Sequence, residues 1–491
     1  VKSSDIQFAG GDNTRPSDLS MNESGLSQIQ LGPWLSAATS QSFGNSNGVA
    51  INHDGTIIAV LSGGADDNGN NTGSVIVYGY TVPGTENGEW FQIGQEIFGG
   101  LDNLGGSIDR FAMNRDGTVI ATGEPYGDGN GSNSGRARVW VYNGTDTWIQ
   151  VGQDIEGKAN NDYFGIKVSL NDDGTRIAIG AGENDDNGGR SGHVRIWEYS
   201  NSDMTSGGSW TQIGQNIVGS ASNMYLGQYG LDLNGDGSIV VAGEPLAHNT
   251  DAENDDEGMV RIWLYNGTDT WNQIGQNIYG ELRDDGYGNG SVAINRTGDI
   301  VASLSFNNDT GGNNAGMVSV WKYSLPGQTG GVWNQLGSTL YGSTVGNAQF
   351  RAYVDLSDDG LTLAVGMGEY DLITNNGGGV KIYKYDSNIS DWVDKGIVGG
   401  DTSSRYFSDD GMKISGDGNC IIGSRASGNG YVAVYKITEP TPQLNIGTLD
   451  TTFHHSLIVP GNLVIVDGSN NSSFGSYTTY SKENSLTELF H

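Results

Sequence analysis

The chain has 491 residues, of which 80 are glycine and 9 are proline, and its formal net charge is −33 at pH 7. A chain this acidic is not expected to bind nucleic acid, because a phosphate backbone is held by a basic surface. No run of 18 or more apolar residues occurs, so we expect no membrane insertion. Residues 1–5 show no apolar signal-peptide core.

The sequence is built from a repeated unit that is marked by a turn-like pair ending in glycine. Successive pairs are 57 to 63 residues apart, which gives seven units. Asp-Gly between alternating apolar runs predicts a β-hairpin with a type I′ turn, because that turn needs positive φ at both central positions. The pairs are Asp54-Gly55, Asp116-Gly117, Asp173-Gly174, Asp236-Gly237, Thr297-Gly298, Asp359-Gly360 and Asp417-Gly418.

Each unit contains four short predicted strands, as the third unit shows. Residues 163–170 alternate between apolar and polar, 176–180 return from the turn, 193–199 form a third strand and 210–217 a fourth. No segment has helical periodicity. Four short antiparallel strands per unit are typical of a propeller blade. The sequence therefore predicts an all-β, seven-bladed β-propeller of four-stranded antiparallel blades.

The seventh unit ends near residue 437 without a fourth strand, and the missing strand is found at the other end of the chain. Residues 30–35 align with the fourth-strand segment 335–340, so an N-terminal strand is expected to complete the last blade and to cover its exposed edge. We predict three regions: an N-terminal attachment segment at 1–25, the propeller at 26–438, and a small β-rich C-terminal module at 439–491.

Tryptophans recur at two positions of the unit, which favours packing between blades over stacking on sugars. Trp140, Trp197, Trp263 and Trp321 share a third-strand position, whereas Trp90, Trp148, Trp210, Trp271, Trp333 and Trp392 open the fourth strand.

Four short motifs of the third unit together resemble the FG-GAP repeat of integrin α-chain propellers. They are Phe164-Gly165, Asn171-Asp172-Asp173-Gly174, Gly180-Ala181 and Gly192-His193-Val194. The resemblance extends over about residues 26–438. It implies a propeller with a binding or adhesive role, but it does not imply one ligand, because a fold does not fix a function.

In the FG-GAP family, calcium sits in an acidic loop of the form Asp-x-Asp/Asn-x-Asp-Gly-x-x-Asp, whose oxygens suit a hard cation. Asp232, Asn234 and Asp236 match the beginning of this loop, whereas Val240 occupies the place of the closing carboxylate. The resemblance therefore implies one cofactor, calcium, bound by Asp232, Asn234 and Asp236. A plain hairpin is the alternative.

The two ends of the chain carry a second resemblance. Residues 4–11 and 16–20 are similar to short segments of phage tail and large-virus fibre proteins, and residues 457–468 resemble the strands of fibre shafts. Residues 457–466 are apolar and have no strand partner inside the predicted propeller. An unpaired strand tends to pair with another chain, which predicts self-association or docking through the C-terminal segment.

The loops between the second and third strands are acidic at 66–68, 183–187 and 254–257, and propeller topology places them on one face. A solvated face that keeps the particle soluble is one interpretation. Bridging by divalent cations, or a basic partner, is the other.

Signatures of catalysis are few. Thr145-Asp146-Thr147-Trp148 resembles the Asp-box of sialidases, but the same motif recurs at 268–271, as a turn would. Only Arg110, Arg351 and Arg405 fall on predicted first strands, which is too few for a sialidase pocket.

We therefore expect a non-enzymatic protein of a virion or extracellular surface, acting as a fibre or other appendage. It would bind a protein or glycan on a host or neighbouring surface. A secreted microbial integrin-like adhesin or matrix protein is the alternative, and a propeller glycosidase or lyase is the third candidate.

Overall fold

The computed structural model describes residues 26–438, together with the backbone of six short strands nearer the termini. Within 26–438 it leaves out 37–42, 46–47, 64–71, 84–86, 101–107, 109, 205–206, 249–255, 345–347, 352, 369–377, 400–406 and 426–429. The described residues form strands, turns and loops, which confirms the all-β class. No helix among them is long and apolar enough to cross a membrane.

The chain divides into two compact units, one comprising Gln28–Ile437 and the other Val1–Ser27 with Thr438–His491. The first unit is a ring of seven antiparallel blades, which confirms the predicted propeller. We number the blades 1 to 7 in chain order, beginning with the blade that contains Asp54-Gly55.

The first strands surround the centre of the ring: Val49–Ile51, Arg110–Met113, Lys167–Leu170, Leu231–Leu233, Val292–Ile294, Val354–Leu356 and Gly411–Ile414. The second strands are Ile57–Ser62, Val119–Glu124, Arg176–Ala181, Ile239–Glu244, Ile300–Ser305, Thr362–Met367 and Cys420–Arg425. The third strands are Ser74–Tyr80, Arg136–Tyr142, His193–Tyr199, Met259–Tyr265, Met317–Tyr323, Gly379–Asp386 and Tyr431–Thr438.

The fourth strands lie on the outside of the blades: Trp90–Gln92, Trp148–Gln150, Trp210–Gln212, Trp271–Gln273, Trp333–Gln335, Asp391–Val398 and, for blade 7, Ser27–Gln30. In blades 1 to 5 a short further strand pairs again with the third strand: Ile97–Phe98, Ile155–Glu156, Ile217–Val218, Ile278–Tyr279 and Leu340–Tyr341.

The ring is closed by the N-terminal strand, as predicted. Ser27–Gln30 lies next to Tyr431–Thr438 in the sheet of blade 7. Beyond this strand the Leu31 N–H donates to the Val434 carbonyl at 2.8 Å, and Leu35 and Val432 exchange two backbone hydrogen bonds. Leu31 is buried in the cluster between blades 7 and 1. Blade 7 thus combines strands from both ends of the propeller sequence.

The hairpin at each turn-like pair differs from the type I′ turn that the sequence predicts. In blade 3 the Gly174 N–H donates to the Asn171 carbonyl at 3.1 Å, and Gly174 has a φ of 76°. Asp173 does not have a positive φ. The predicted type I′ turn, which needs two residues with positive φ, is therefore wrong. The geometry is that of a turn followed by one left-handed glycine, and the same bond forms in all seven blades.

The hydrophobic core lies between adjacent blades. One cluster joins Val119 and Val139 of blade 2 to Val168, Ile177 and Ile179 of blade 3, and all five are almost completely buried. Similar clusters connect blades 1 and 2, 3 and 4, 4 and 5, 5 and 6, and 7 and 1. A single unit of this kind cannot bury its apolar faces alone, so its stability depends on the blades beside it.

The fourth-strand signature joins each blade to the next through tryptophan. The indole N–H of Trp210, in blade 3, donates to the Val151 carbonyl of blade 2 at 2.9 Å. The Gln153 side chain exchanges two hydrogen bonds with the backbone of Trp210, at 2.7 and 3.0 Å. Gly152 has a φ of 71°, and a Cβ there would lie 2.6 Å from the Trp210 ring. The inter-blade role predicted for these tryptophans is confirmed.

The same indole contact recurs at all six fourth-strand tryptophans, over distances of 2.7 to 3.0 Å. The acceptors are the carbonyls of Leu31, Ile93, Val151, Ile213, Ile274 and Leu336.

The second unit is also built from antiparallel strands. His455–Val459 pairs with Gln7–Phe8 on one side and with Asn462–Val466 on the other. Asn462–Val466 pairs in turn with Thr478–Ser481, and Leu19–Asn22 pairs with Gln443–Ile446. The predicted β-rich module therefore includes strands from both termini. The C-terminal apolar segment has partners in its own chain, which corrects the premise of an unpaired strand.

Candidate functional site

Asp232, the first residue of the predicted calcium loop, lines the central channel, which is the space enclosed by the seven first strands. Its Oδ1 accepts a hydrogen bond from the Ser169 hydroxyl of blade 3 at 2.8 Å. Its Oδ2 accepts the Ile294 N–H of blade 5 at 3.1 Å. Burial raises the pKa of Asp232. The carboxylate thus links three neighbouring blades.

Asn234 and Asp236 have partners within the hairpin of blade 4. Asn234 Oδ1 accepts the Ile239 N–H at 2.8 Å. Asp236 Oδ1 accepts both the N–H and the hydroxyl of Ser238, at 2.9 and 2.5 Å. The structure therefore gives each of the three predicted ligands a different set of protein partners.

The Asn234 contact recurs in every blade, so it is a property of the repeat. The equivalent oxygens, which accept an N–H five residues further on, belong to Asn52, Asn114, Asn171, Asn295, Ser357 and Ser415. Such contacts stabilise turns. Across the described parts of the chain, no group of three His, Cys, Asp or Glu side chains is placed to hold a metal ion. Calcium at Asp232, Asn234 and Asp236 stays a prediction.

The residues considered for catalysis are not brought together. Asp146 Oδ1, in the Asp-box-like motif, accepts the Gly94 N–H of the preceding blade at 3.0 Å, which is a structural contact between blades. Arg110 lines the central channel, whereas Arg351 donates to Gln349 and is not part of the channel lining. Arg405 lies outside the described residues.

The acidic loop of blade 3 uses its carboxylates to hold its own structure. Asp186 lies 2.5 Å from the Lys158 ammonium and 3.2 Å from the imidazole of buried His193. The hydrogen bond with His193 lowers the pKa of Asp186 far below its usual range. The acidic residues at 66–68 and 254–255 lie outside the described residues.

A pocket of about 210 Å³ opens among the loops of blades 2, 3 and 4. We call the side of the ring that carries the loops between second and third strands the loop face; the hairpins of the turn-like pairs lie on the opposite side. Tyr126 and Tyr163 form two walls of this tyrosine pocket, with ring centroids 5.6 Å apart and ring planes at 81°. Tyr126 is 42% exposed, so much of its side chain is open to solvent.

Polar groups complete the tyrosine pocket. Gln228 Oε1 is buried and has no hydrogen-bond partner among the described residues. Glu183 also lines the pocket, 3.7 Å from the Arg190 guanidinium. Tyr229 lies beside Gln228 and is 43% exposed. Aromatic walls with a few convergent polar groups are typical of binding pockets.

This pocket was not predicted from the sequence, although the repeat contains a signal for Tyr126. After the second strand, Tyr126 of blade 2 occupies the place that Glu183 has in blade 3 and Leu246 in blade 4. A side chain that occurs in one unit only is a candidate for function, because features shared by all units maintain the fold. Its meeting with Tyr163 depends on how blades 2 and 3 pack.

Comparison with known proteins supports the repeat. Residues 156–196, which reach from the end of blade 2 into the third strand of blade 3, match the FG-GAP repeat family. No curated protein is a recognisable relative in sequence.

Among solved structures, the β-propeller domain of Cps50 (Swd1) from Myceliophteria thermophila has a TM-score of 0.48 and 8% identity, over 84% of this chain and 99% of that chain. A score of that size carries no functional argument. The resemblance of the chain's ends to fibre proteins has no support in these matches. The match to residues 156–196 and the blade architecture together identify the chain as a seven-bladed β-propeller with an FG-GAP repeat in its third unit.

Proposed function

We propose that the chain is a non-enzymatic binding module of a virion or extracellular surface, and that its partner binds at the tyrosine pocket. The observation that carries the proposal is the pair of tyrosine rings, Tyr126 and Tyr163, that stand nearly perpendicular around an open space. An FG-GAP propeller suggests a role in binding or adhesion, and the pocket supplies a place for it on this chain.

The chemistry of the pocket suits a protein side chain or a sugar ring of a glycan. Tyrosine offers a large apolar face together with a hydroxyl, and it loses little conformational entropy when a partner covers it. Gln228 Oε1 supplies an acceptor that has no partner in the described residues, and Glu183 supplies a second. A partner that donates to these oxygens would satisfy a buried polar atom, which stabilises a complex.

In this proposal the ends of the chain attach the propeller to its assembly. Residues 1–25 and 439–491 contribute the strands of the second compact unit. Self-association or docking through the C-terminal segment would then use the edges of these strands rather than a lone strand.

The proposal is tested by measuring the binding of the full chain to candidate host cells and to an array of glycans. Tyr126→Ala and Gln228→Ala should each weaken binding about tenfold, the effect of 1.4 kcal/mol. Tyr341→Ala is the matched control, because Tyr341 is 38% exposed but belongs to blade 5 and is not part of the pocket. Equal losses in all three variants would contradict the proposed site.

The alternatives differ in simple observations. A secreted adhesin or matrix protein would be found in the culture medium of the cells that make it, and a virion protein in purified particles. A glycosidase or lyase would release product from a bound glycan. Product that forms with the purified chain, and disappears when a channel or pocket residue is changed, would overturn the non-enzymatic proposal.

A further inference from the structure

The central channel contains a cavity of about 220 Å³ with an unusual composition for this acidic protein. Five cationic side chains line it together with four carboxylates: Arg110, Arg115, Lys167, Arg296 and Lys413 with Asp172, Asp232, Asp355 and Asp358. The whole chain carries 57 acidic and 24 basic residues. The channel therefore reverses the balance of charge found in the rest of the chain.

At the hairpin end of the channel, hydrogen bonds join successive blades in a ring. These bonds, at 2.8 to 3.1 Å, join His53 to Arg115, Asn114 to Asp172, Asp172 to Gly235, Gly235 to Arg296, Arg296 to Asp358, Asp358 to Gly416 and Asp417 to His53. Charged side chains also join distant blades here: Arg115 contacts Asp358 at 3.1 Å, and Arg296 contacts Asp172 at 2.6 Å. Both arginines at this end are thus paired with carboxylates.

The two carboxylates deeper in the channel are used by the backbone. Asp232 accepts the Ile294 N–H of the next blade, as described above, and Asp355 Oδ2 accepts the Ile414 N–H of its own next blade at 3.0 Å. The other oxygen of Asp355 lies 3.3 Å from the Lys413 ammonium. Asp232 and Asp355 therefore have hydrogen-bond and ion-pair partners other than Lys167.

Lys167 is a channel cation that these carboxylates do not pair with. In the described part of the chain it has neither a carboxylate oxygen within 4 Å nor a hydrogen bond from its ammonium, although its side chain faces the channel. The charged groups around it are Arg110 on blade 2, Lys413 on blade 7 and Asp232 on blade 4. Burial, followed by repulsion from Arg110 and Lys413, lowers the pKa of Lys167 to about 7, and Asp232 offsets this only in part.

We infer that the central channel binds a small oxyanion, such as sulfate, phosphate or a small carboxylate, between Lys167, Arg110 and Lys413. Such an anion would supply the negative charge that the neighbouring carboxylates do not give to Lys167. Its size follows from the cavity, since 220 Å³ is below the roughly 300–1,000 Å³ of sites for drug-sized ligands. The space suits an ion of a few heavy atoms with some water.

The net charge of the chain does not prevent this binding. At physiological salt, solvent-exposed charges further away than about 8 Å are largely screened. The local potential is therefore set by the charges within the channel, where the cations Lys167, Arg110 and Lys413 outnumber the nearby carboxylates Asp232 and Asp355. This site shares no lining residue with the tyrosine pocket and does not depend on the proposed function.

Sulfate is the probe of choice, because its charge does not change between pH 6 and 9. Its binding to the full chain is measured by titration calorimetry and by thermal melting, against chloride at equal ionic strength. We expect saturable binding that Lys167→Met weakens tenfold or more. Lys322→Met is the matched control, since Lys322 is 51% exposed on the third strand of blade 5 and does not line the channel. Sulfate also stabilises proteins by exclusion from their surface, and the two variants share that contribution.

A second measurement uses the unchanged protein, in case Lys167→Met folds poorly. With 13C-labelled lysine, NMR follows the titration of the Lys167 ammonium. A bound dianion favours the charged form, so sulfate should raise the titration midpoint by about one pH unit or more. Affinity should then fall by up to about tenfold per pH unit between the free and the sulfate-bound midpoint, and should not fall further above the bound midpoint. No saturable binding, equal binding by Lys167→Met, or an unchanged Lys167 midpoint would each overturn the inference.

Discussion

The two tryptophans of blade 3 offer a controlled test of what holds the ring together. Trp210 and Trp197 lie in the same blade, and each is replaced by phenylalanine. The Trp210 indole N–H donates to the Val151 carbonyl across the blade boundary, and the side chain is 2% exposed. The Trp197 indole N–H is buried but has no acceptor among the described residues. One substitution removes a hydrogen bond between blades, whereas the other removes an unsatisfied donor.

The expected difference follows from these contacts. Trp210→Phe loses buried apolar surface worth on the order of 1 kcal/mol. It also leaves the Val151 carbonyl without its donor, which costs about 1–3 kcal/mol more. The free energy of unfolding should therefore fall by about 2–4 kcal/mol. At Trp197 the loss of packing is offset by removing a buried donor that has no partner, so the change should stay within about 1 kcal/mol.

The assay is urea unfolding followed by far-UV circular dichroism, since tryptophan fluorescence would itself change with the substitution. Both variants should keep the slope of the unfolding transition, and the midpoint should fall clearly only for Trp210→Phe. Equal destabilisation of the two variants would refute the reasoning, because the hydrogen bond across the boundary would then contribute nothing beyond packing.

Three further predictions concern closure, calcium and the channel. Deleting residues 1–36 should lower the melting temperature of the whole ring, because blade 7 loses Ser27–Gln30 and the Leu31 contact. Deleting residues 1–25 should leave the melting temperature of the ring unchanged. Equal melting temperatures for the two truncated proteins would contradict closure by the N-terminal strand. Calcium bound at Asp232, Asn234 and Asp236 should raise the melting temperature by mass action, and Asp236→Ala should abolish the rise. If a chelator does not change the melting temperature of the parent protein, the calcium prediction is wrong. Without added oxyanion, the pKa of Lys167 is about 7 in the folded protein, against 10.5 for a lysine in the unfolded chain. Between these two values the unfolded chain binds a proton that the folded protein does not, so the parent protein should lose stability as pH falls from 10 to 7. Lys167→Met should not show this loss, and parallel stability curves for the two proteins over that range would count against the lowered pKa.

The sequence by itself determined the repeat architecture, because the residues that build one blade lie close together in the chain. The glycine of each turn-like pair, the alternating strands and the fourth-strand tryptophans are local features, and seven copies of them specify seven blades. Closure by the N-terminal strand was also predictable, since residues 30–35 repeat the fourth-strand pattern and the seventh unit lacks that strand.

Local detail was predicted less well where a side chain competes with the backbone. The pair Asp173-Gly174 indicates a turn in which both residues have positive φ. In the structure Asn171 Oδ1 accepts the Arg176 N–H and stabilises a different turn, in which only Gly174 has positive φ. Likewise, the calcium motif at Asp232 matches a pattern of spacing, whereas its oxygens are directed to partners in blades 3 and 5. A pattern of residue types does not specify which donor each oxygen meets.

Only the tertiary structure decided which side chains share a site. Lys167 and Arg110 lie on neighbouring first strands, but Lys413 joins them because the closed ring places blade 7 beside blade 1. Tyr126 and Tyr163 come from loops of different blades and meet at 5.6 Å for the same reason. Each unit's sequence encodes its own strands, whereas the channel and the tyrosine pocket arise from the packing of one unit against another, which is set by the buried surfaces between blades.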